Sequence, residues 1–254
     1  VLLLAAIPVV ALVALILAVT VFTPEPTTGD CIVALDLTVG HDDPAIADTY
    51  ARWAEGVLQR CADDGAVNFV VFPITNSTDA DLPRLEPIGK PFDIDASQNI
   101  DNQRARIRKW IADEAPGEIE RLFDEGSSIE GGTDILSAPS VAEDYFNDAD
   151  EVDFRQFWLV TDGIHIERPG LDMRSAPLER AERQVELAGL EAEGLLPRLD
   201  DVEVHMCGIG GGDHSENVSD RQQTDIESLW EDFFDAAGAD LDDYDVSCPT
   251  PQEG

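Results

Sequence analysis

The stretch Cys31-Ile-Val-Ala-Leu-Asp36-Leu-Thr38-Val-Gly40 decides how this chain folds. Its apolar run is closed by turn-prone Gly29-Asp30 on one side and by Gly40 on the other. A run of that length predicts a strand at about 31–37, buried on both faces. Asp36 and Thr38 put a carboxylate and a hydroxyl at its carboxyl end, where open α/β sheets keep their ligand sites. Two later stretches read as its partners. One is Gly131-Gly132-Thr133-Asp134. The other is Phe157-Trp-Leu-Val-Thr161-Asp162-Gly163, a second buried strand ending in an aspartate.

Beyond Gly40, strands and helices alternate. A helix is expected at about 44–63: Ile46, Tyr50, Trp53, Val57, Leu58 and Cys61 fall mostly at steps of three and four, and Pro44 suits the first turn. Val67 to Ile74 reads as a second buried strand, and 88–94 as holding a short edge strand, since Pro91 removes a ladder donor. A helical region is expected from about 99 to 124, broken or kinked at Pro116-Gly117. Helices at about 138–147, 177–196 and 222–237 and strands at about 156–161 and 201–209 complete the pattern. The tail from Asp240 to Gly254 reads as acidic and mostly unstructured. Such alternation implies an α/β domain, doubly wound, with a mainly parallel sheet and helices on both faces.

Val1 to Phe22 carries no charge. As a helix it would span about 33 Å, enough for a bilayer core. A transmembrane anchor is expected rather than a cleaved signal peptide, because Ala18-Val-Thr20 is a poor cleavage signal. The linker 23–30 is rich in Pro and Thr and has no positive charge, which favours an extracytoplasmic place for the domain beyond it. The expected organisation is therefore an anchor at 1–22, a linker at 23–30, one domain at 31–237 and a tail at 238–254.

The 254-residue chain has 16 basic and 53 acidic side chains, a net charge of −37. That field repels nucleic acid and anionic headgroups, so neither is an expected partner of the domain. It fits a halophile-type surface or an acidic secreted protein. Arg104, Arg106, Arg108 and Lys109 form the basic cluster, read as a solvated helix face neutralising acidic neighbours. Cys31, Cys61, Cys207 and Cys248 are even in number, which fits two disulfides outside the cytoplasm; four free thiols are the alternative. A parallel strand and its following helix return the chain to the sheet's amino-terminal edge, which favours Cys31–Cys61 and leaves Cys207–Cys248.

Asp36, Thr38, Thr133 and Asp162 would meet at one rim of the sheet. Carboxylates and hydroxyls without His or Cys form a hard oxygen set, suited to Mg²⁺, Mn²⁺ or Ca²⁺ rather than Zn²⁺. Neutral hydroxyl ligands leave a cation electron-poor and able to take a further carboxylate from a partner. The other reading of Asp36 and Asp162 is capping and loop hydrogen bonding at strand ends. His41, His165, His205 and His214 lack a second ligand at metal spacing and read as surface loop residues.

The arrangement resembles the von Willebrand factor A domain over about 31–237. That family carries an Asp-x-Ser-x-Ser stretch after its first strand, a Thr in a Gly-Gly-Thr turn and an Asp in a Thr-Asp-Gly turn. Asp36, Thr38, Thr133 and Asp162 stand at those positions here, with Thr38 keeping the hydroxyl of the first serine. Gly40 replaces the second serine and brings no side-chain ligand; Asp42, Asp43 or a water are the candidates for the gap. Gly208-Ile-Gly210 and the closing Leu229-Trp-Glu-Asp-Phe-Phe-Asp-Ala-Ala237 helix also look like the family. The resemblance implies a protein-binding module without catalysis, its ligand's carboxylate bridged by a divalent cation, with no small-molecule substrate. A metal-free structural or assembly component of a cell-envelope or secretion/transfer apparatus is the alternative. A Mg²⁺-dependent phosphate-ester hydrolase is the third reading, and it lacks a basic residue at the rim.

Overall fold

The computed structural model describes residues 28–39, 43–78, 85–92, 100–126, 132–149, 152–166, 173–174, 179–211 and 218–251. Its strands are β1 (Gly29–Asp36), β2 (Ala66–Ile74), β3 (Ile88–Pro91), β4 (Phe154–Val160), β5 (Val202–Cys207) and β6 (Asp240–Asp245). Its helices are α1 (Pro44–Asp64), α2 (Ile100–Asp113), α3 (Ala115–Gly126), α4 (Ala138–Asp148), α5 (Arg180–Glu193) and α6 (Asp220–Ala236). The strands form one six-stranded sheet in the order β3-β2-β1-β4-β5-β6, with β3 antiparallel and the other pairs parallel.

Successive residues of a strand face opposite sides of the sheet, so each buried strand feeds two cores. Val33, Leu35, Trp158 and Val160 pack with α1, α2 and α3. Ile32, Ala34, Phe157 and Leu159 pack with α4, α5 and α6. Trp230, Phe233 and Phe234 of α6 are fully buried there. Fully burying one such side chain contributes about 1.5–3 kcal/mol.

Local signals set the element ends. Asp43 caps α1, its Oδ1 accepting from the Ala45 N–H at 2.9 Å, and Pro44 takes the first helical position. Gly65, at φ +109°, ends the helix in the left-handed region. The predicted break at Pro116-Gly117 falls at Glu114 instead, because proline is tolerated in the first turn of the helix it opens, α3. Short β3 lies at the sheet edge, with Pro91 at its end.

The expectation of a mostly unstructured tail is corrected: Asp240–Asp245 forms β6, parallel to β5. Its Asp-Leu-Asp-Asp-Tyr-Asp sequence has poor strand propensity. Tertiary context overrides it, because Leu241 and Tyr244 pack against the α6-side core and the Cys207–Cys248 disulfide ties down the segment after β6. Cys31–Cys61 is the second bond, so both expected pairings are present. Two disulfides fit an oxidising, extracytoplasmic environment. Among the described residues no helix is long and apolar enough to cross a membrane, and the anchor expected at 1–22 lies outside them.

Candidate metal site at the ends of β1 and β4

The strand order reverses between β1 and β4: the chain winds one way from β1 to β3 and the other way from β4 to β6. In open α/β sheets the crevice at that point is the ligand position. Asp36 ends β1, and Thr161 and Asp162 follow β4; all three are fully buried.

Asp36 closes a tight turn on itself. Its Oδ1 accepts from the Thr38 N–H at 3.0 Å and from the Thr38 hydroxyl at 2.7 Å. Its Oδ2 accepts from the Thr161 hydroxyl at 2.7 Å. The Thr38 and Thr133 hydroxyl oxygens lie 2.5 Å apart. A hydroxyl has one proton, and that of Thr38 goes to Asp36, so Thr133 donates to Thr38. The result is a directed chain from Thr133 through Thr38 to Asp36, with Thr161 donating from the other side.

The loops that carry these groups are tied to each other. The Ile166 N–H donates to the Thr133 carbonyl at 3.1 Å, and the Asp134 N–H to the Thr75 carbonyl at 2.7 Å. The Thr78 hydroxyl donates to the Asp134 carbonyl at 2.7 Å. In the β4 turn, Asp162 Oδ1 accepts from the Ile164 N–H at 2.9 Å. Gly163, at φ +82°, presents its carbonyl to Trp230 Nε1 at 3.1 Å. Behind the turn stands Tyr244 of β6. Burial raises its phenol above the ordinary tyrosine range, and the Glu227 and Asp162 carboxylates add to the rise while Gln223 partly opposes it.

The structure therefore brings Asp36, Thr38 and Thr133 into one hydrogen-bonded cluster and sets Asp162 on the adjoining strand end. Thr161, absent from the ligand set expected from sequence, is the group that joins the two strand ends. Gly40, Asp42 and Gly131 lie outside the described residues. Asp43 is committed to capping α1, so it is a poor stand-in for the missing serine.

The donor chemistry fits a hard divalent cation: oxygen atoms only, neutral hydroxyls beside carboxylates, at buried positions. Thr38 and Thr133 would hold such a cation through their hydroxyl oxygens, and Asp36 and Asp162 through their carboxylates, and the cation would supply a positive centre for a further carboxylate.

The histidine expectation is corrected for two of the four: His165 and His205 are buried, not surface loop residues, while His41 and His214 lie outside the described residues. His165 Nδ1 lies 3.9 Å from Asp134 Oδ1, in the loop that carries Thr133. His205 lies within β5, where its ring stacks on Trp158. The helix-face reading of the basic cluster fits: Arg108 pairs with Asp63 at 3.2 Å and Lys109 with Asp113.

No family model matches the chain, and no curated protein matches it. Among solved structures it is similar to proximal thread matrix protein 1 from the mussel byssus, at 17% identity and a TM-score of 0.36, over 84% of this chain and 48% of that one. The chain thus spans about half the length of that protein. At that identity and score the likeness decides neither fold family nor function.

Proposed function

We propose that the chain is a binding module of von Willebrand factor A type that captures a protein ligand by a carboxylate, through a divalent cation at the rim. The observation that supports this reading is the hydrogen-bonded cluster of Asp36, Thr38 and Thr133, with Asp162 on the adjoining strand end, at the point where the strand order reverses. The cation would be Mg²⁺ or Mn²⁺, with Ca²⁺ as a third candidate; Thr38 and Thr133 would hold it through hydroxyls, Asp36 and Asp162 through carboxylates. The reading includes an anchor at 1–22, an extracytoplasmic domain and no catalysis, since no nucleophile and general-base pair is present in the motifs.

One observation favours the metal-free scaffold as a second reading. The chain from Thr133 through Thr38 to Asp36 satisfies these groups without a cation. Titration of the purified 254-residue chain with Mn²⁺ separates the two. The binding module takes up one equivalent at the rim, and Asp162→Asn and Thr133→Val each weaken uptake at least tenfold. A folded wild-type chain whose Mn²⁺ uptake both variants leave unchanged, or that takes up none, refutes the cation-bridged reading.

A further inference from the structure

A second constellation lies along the interior of β4 and β5 rather than at their ends. Between α1 and β6 runs a groove with a volume of about 720 Å³, floored by Gln156 and Trp158 of β4 and by Glu203 and His205 of β5. Its shape is set by two non-local features. The Cys207–Cys248 disulfide turns the chain back after β6, so that Pro249 and Thr250 line the groove. Gly56 of α1 allows this passage, since a Cβ there would overlap the Pro249 carbonyl oxygen.

The pairing of β5 with β6 is irregular at Val204 and His205: Val204 faces Leu241, but His205 faces Asp243. Asp242 is the extra residue. A bulge of this kind re-aims side chains that regular alternation would send to opposite faces. Both aspartates consequently approach the same imidazole. His205 Nδ1 lies 2.9 Å from Asp243 Oδ2 and 4.0 Å from Asp242 Oδ2, and the three potential ligand atoms lie within 4.8 Å of one another.

An acidic cluster beside a histidine is by itself only a hydrogen-bonded pair. The floor of the groove supplies the independent observation. Trp158 is 4% exposed and its Nε1–H meets no hydrogen-bond partner among the described residues; the same holds for His205 Nε2 and Gln156 Oε1. The two rings stack with centroids 4.1 Å apart and planes 19° apart, which fixes the imidazole in place. A buried donor left unpaired is destabilising unless something in the groove accepts from it. A water or carboxylate in the shell of a bound cation is such an acceptor.

We propose that His205, Asp242 and Asp243 bind a borderline divalent transition cation of the Zn²⁺ class in this groove. The ligand set makes the choice. One imidazole and two carboxylates suit Zn²⁺ and leave a coordination position open. Mg²⁺ and Ca²⁺, which take oxygen donors, belong at the rim instead. Glu203 lines the same groove and adds a carboxylate to its field, while Asp63 and Asp64 there are paired with Arg108 and Arg60. The cation on Nδ1 would take the place of the His205–Asp243 hydrogen bond, the imidazole proton leaving to solvent.

The test uses the untagged 254-residue chain, stripped with chelator and titrated with Zn²⁺ by calorimetry, and with Co²⁺ by visible absorption. The expected result is one equivalent of Zn²⁺ lost by about a hundredfold or more in His205→Gln, with the Co²⁺ absorption bands gone. Asp242→Asn, at an exposed position, weakens binding about tenfold. Asp162→Asn at the rim leaves Zn²⁺ affinity unchanged. Zn²⁺ affinity equal to wild type in Asp242→Asn and His205→Gln, or no binding by the folded wild-type chain, overturns the proposal.

Discussion

The rim at the ends of β1 and β4 and the groove between α1 and β6 are both acidic sites on one sheet, built in opposite ways. At the rim the groups come from strand ends: Asp36 closes β1, and Thr161 and Asp162 follow β4. Each is placed by its own segment and meets the others because parallel strands end together. In the groove the groups come from the interior of β5 and from a bulge in β6. Nothing local places Asp242 and Asp243 beside His205; only the register of an edge strand and a disulfide between residues 41 apart do so. The difference teaches that a site at strand ends is robust to changes elsewhere, whereas a site in a strand register depends on whatever holds the edge.

The largest expected effect tests that dependence. Replacing both Cys207 and Cys248 by Ala frees the segment after β6. The chain-entropy model puts the loss at about 4 kcal/mol for a loop of 41 residues. Urea unfolding should show that loss, and at low urea the groove should lose Zn²⁺ while the rim keeps Mn²⁺. Equal loss of both cations would mean that the two regions fold as one unit.

Gly163→Ala should act the other way round. The residue sits at φ +82°, and its new Cβ would stand 3.1 Å from Ile209 Cδ1. The left-handed conformation costs a non-glycine residue about 1–2 kcal/mol. The strain falls on the turn that carries Asp162, so Mn²⁺ uptake should weaken and Zn²⁺ uptake should not. The reverse pattern would detach the turn from the rim site.

The smallest effect is silent at neutral pH. Tyr244 stands between the two regions, one residue from Asp243 and close to Asp162. Its phenol keeps its proton in the folded chain beyond the ordinary value near 10, as does the half-buried Tyr145. The unfolded chain releases that proton at about pH 10. The stabilisation is therefore complete below pH 10 and is lost as pH rises above it. Tyr244→Phe should shift the thermal midpoint little at pH 7 and flatten its alkaline fall. Superimposable alkaline curves for the two proteins would contradict this placement.

The same contrast explains what the sequence made legible. The doubly wound sheet could be read because buried parallel strands are continuous apolar runs, as in 31–35 and 157–160, and because caps such as Asp43 and Gly65 are local signals. The rim set could be read because Asp36, Thr133 and Asp162 each sit in a recognisable strand-end or turn motif. Thr161 was in view, but its role was not, since donation to Asp36 requires β1 and β4 to be neighbours. β6 was hidden by its own acidic composition and stands through Leu241, Tyr244 and the disulfide. The groove was hidden because its ligands are brought together by pairing register, which no single stretch of sequence states.

The proposed divalent cation at the rim would rest on Thr38, Thr133, Asp36 and Asp162. Anomalous diffraction at the manganese edge, from crystals grown with Mn²⁺, tests it most directly. The account predicts a peak at the ends of β1 and β4, within ligand distance of Thr38, Thr133, Asp36 and Asp162. A rim without a peak, its two hydroxyls still 2.5 Å apart, would contradict it.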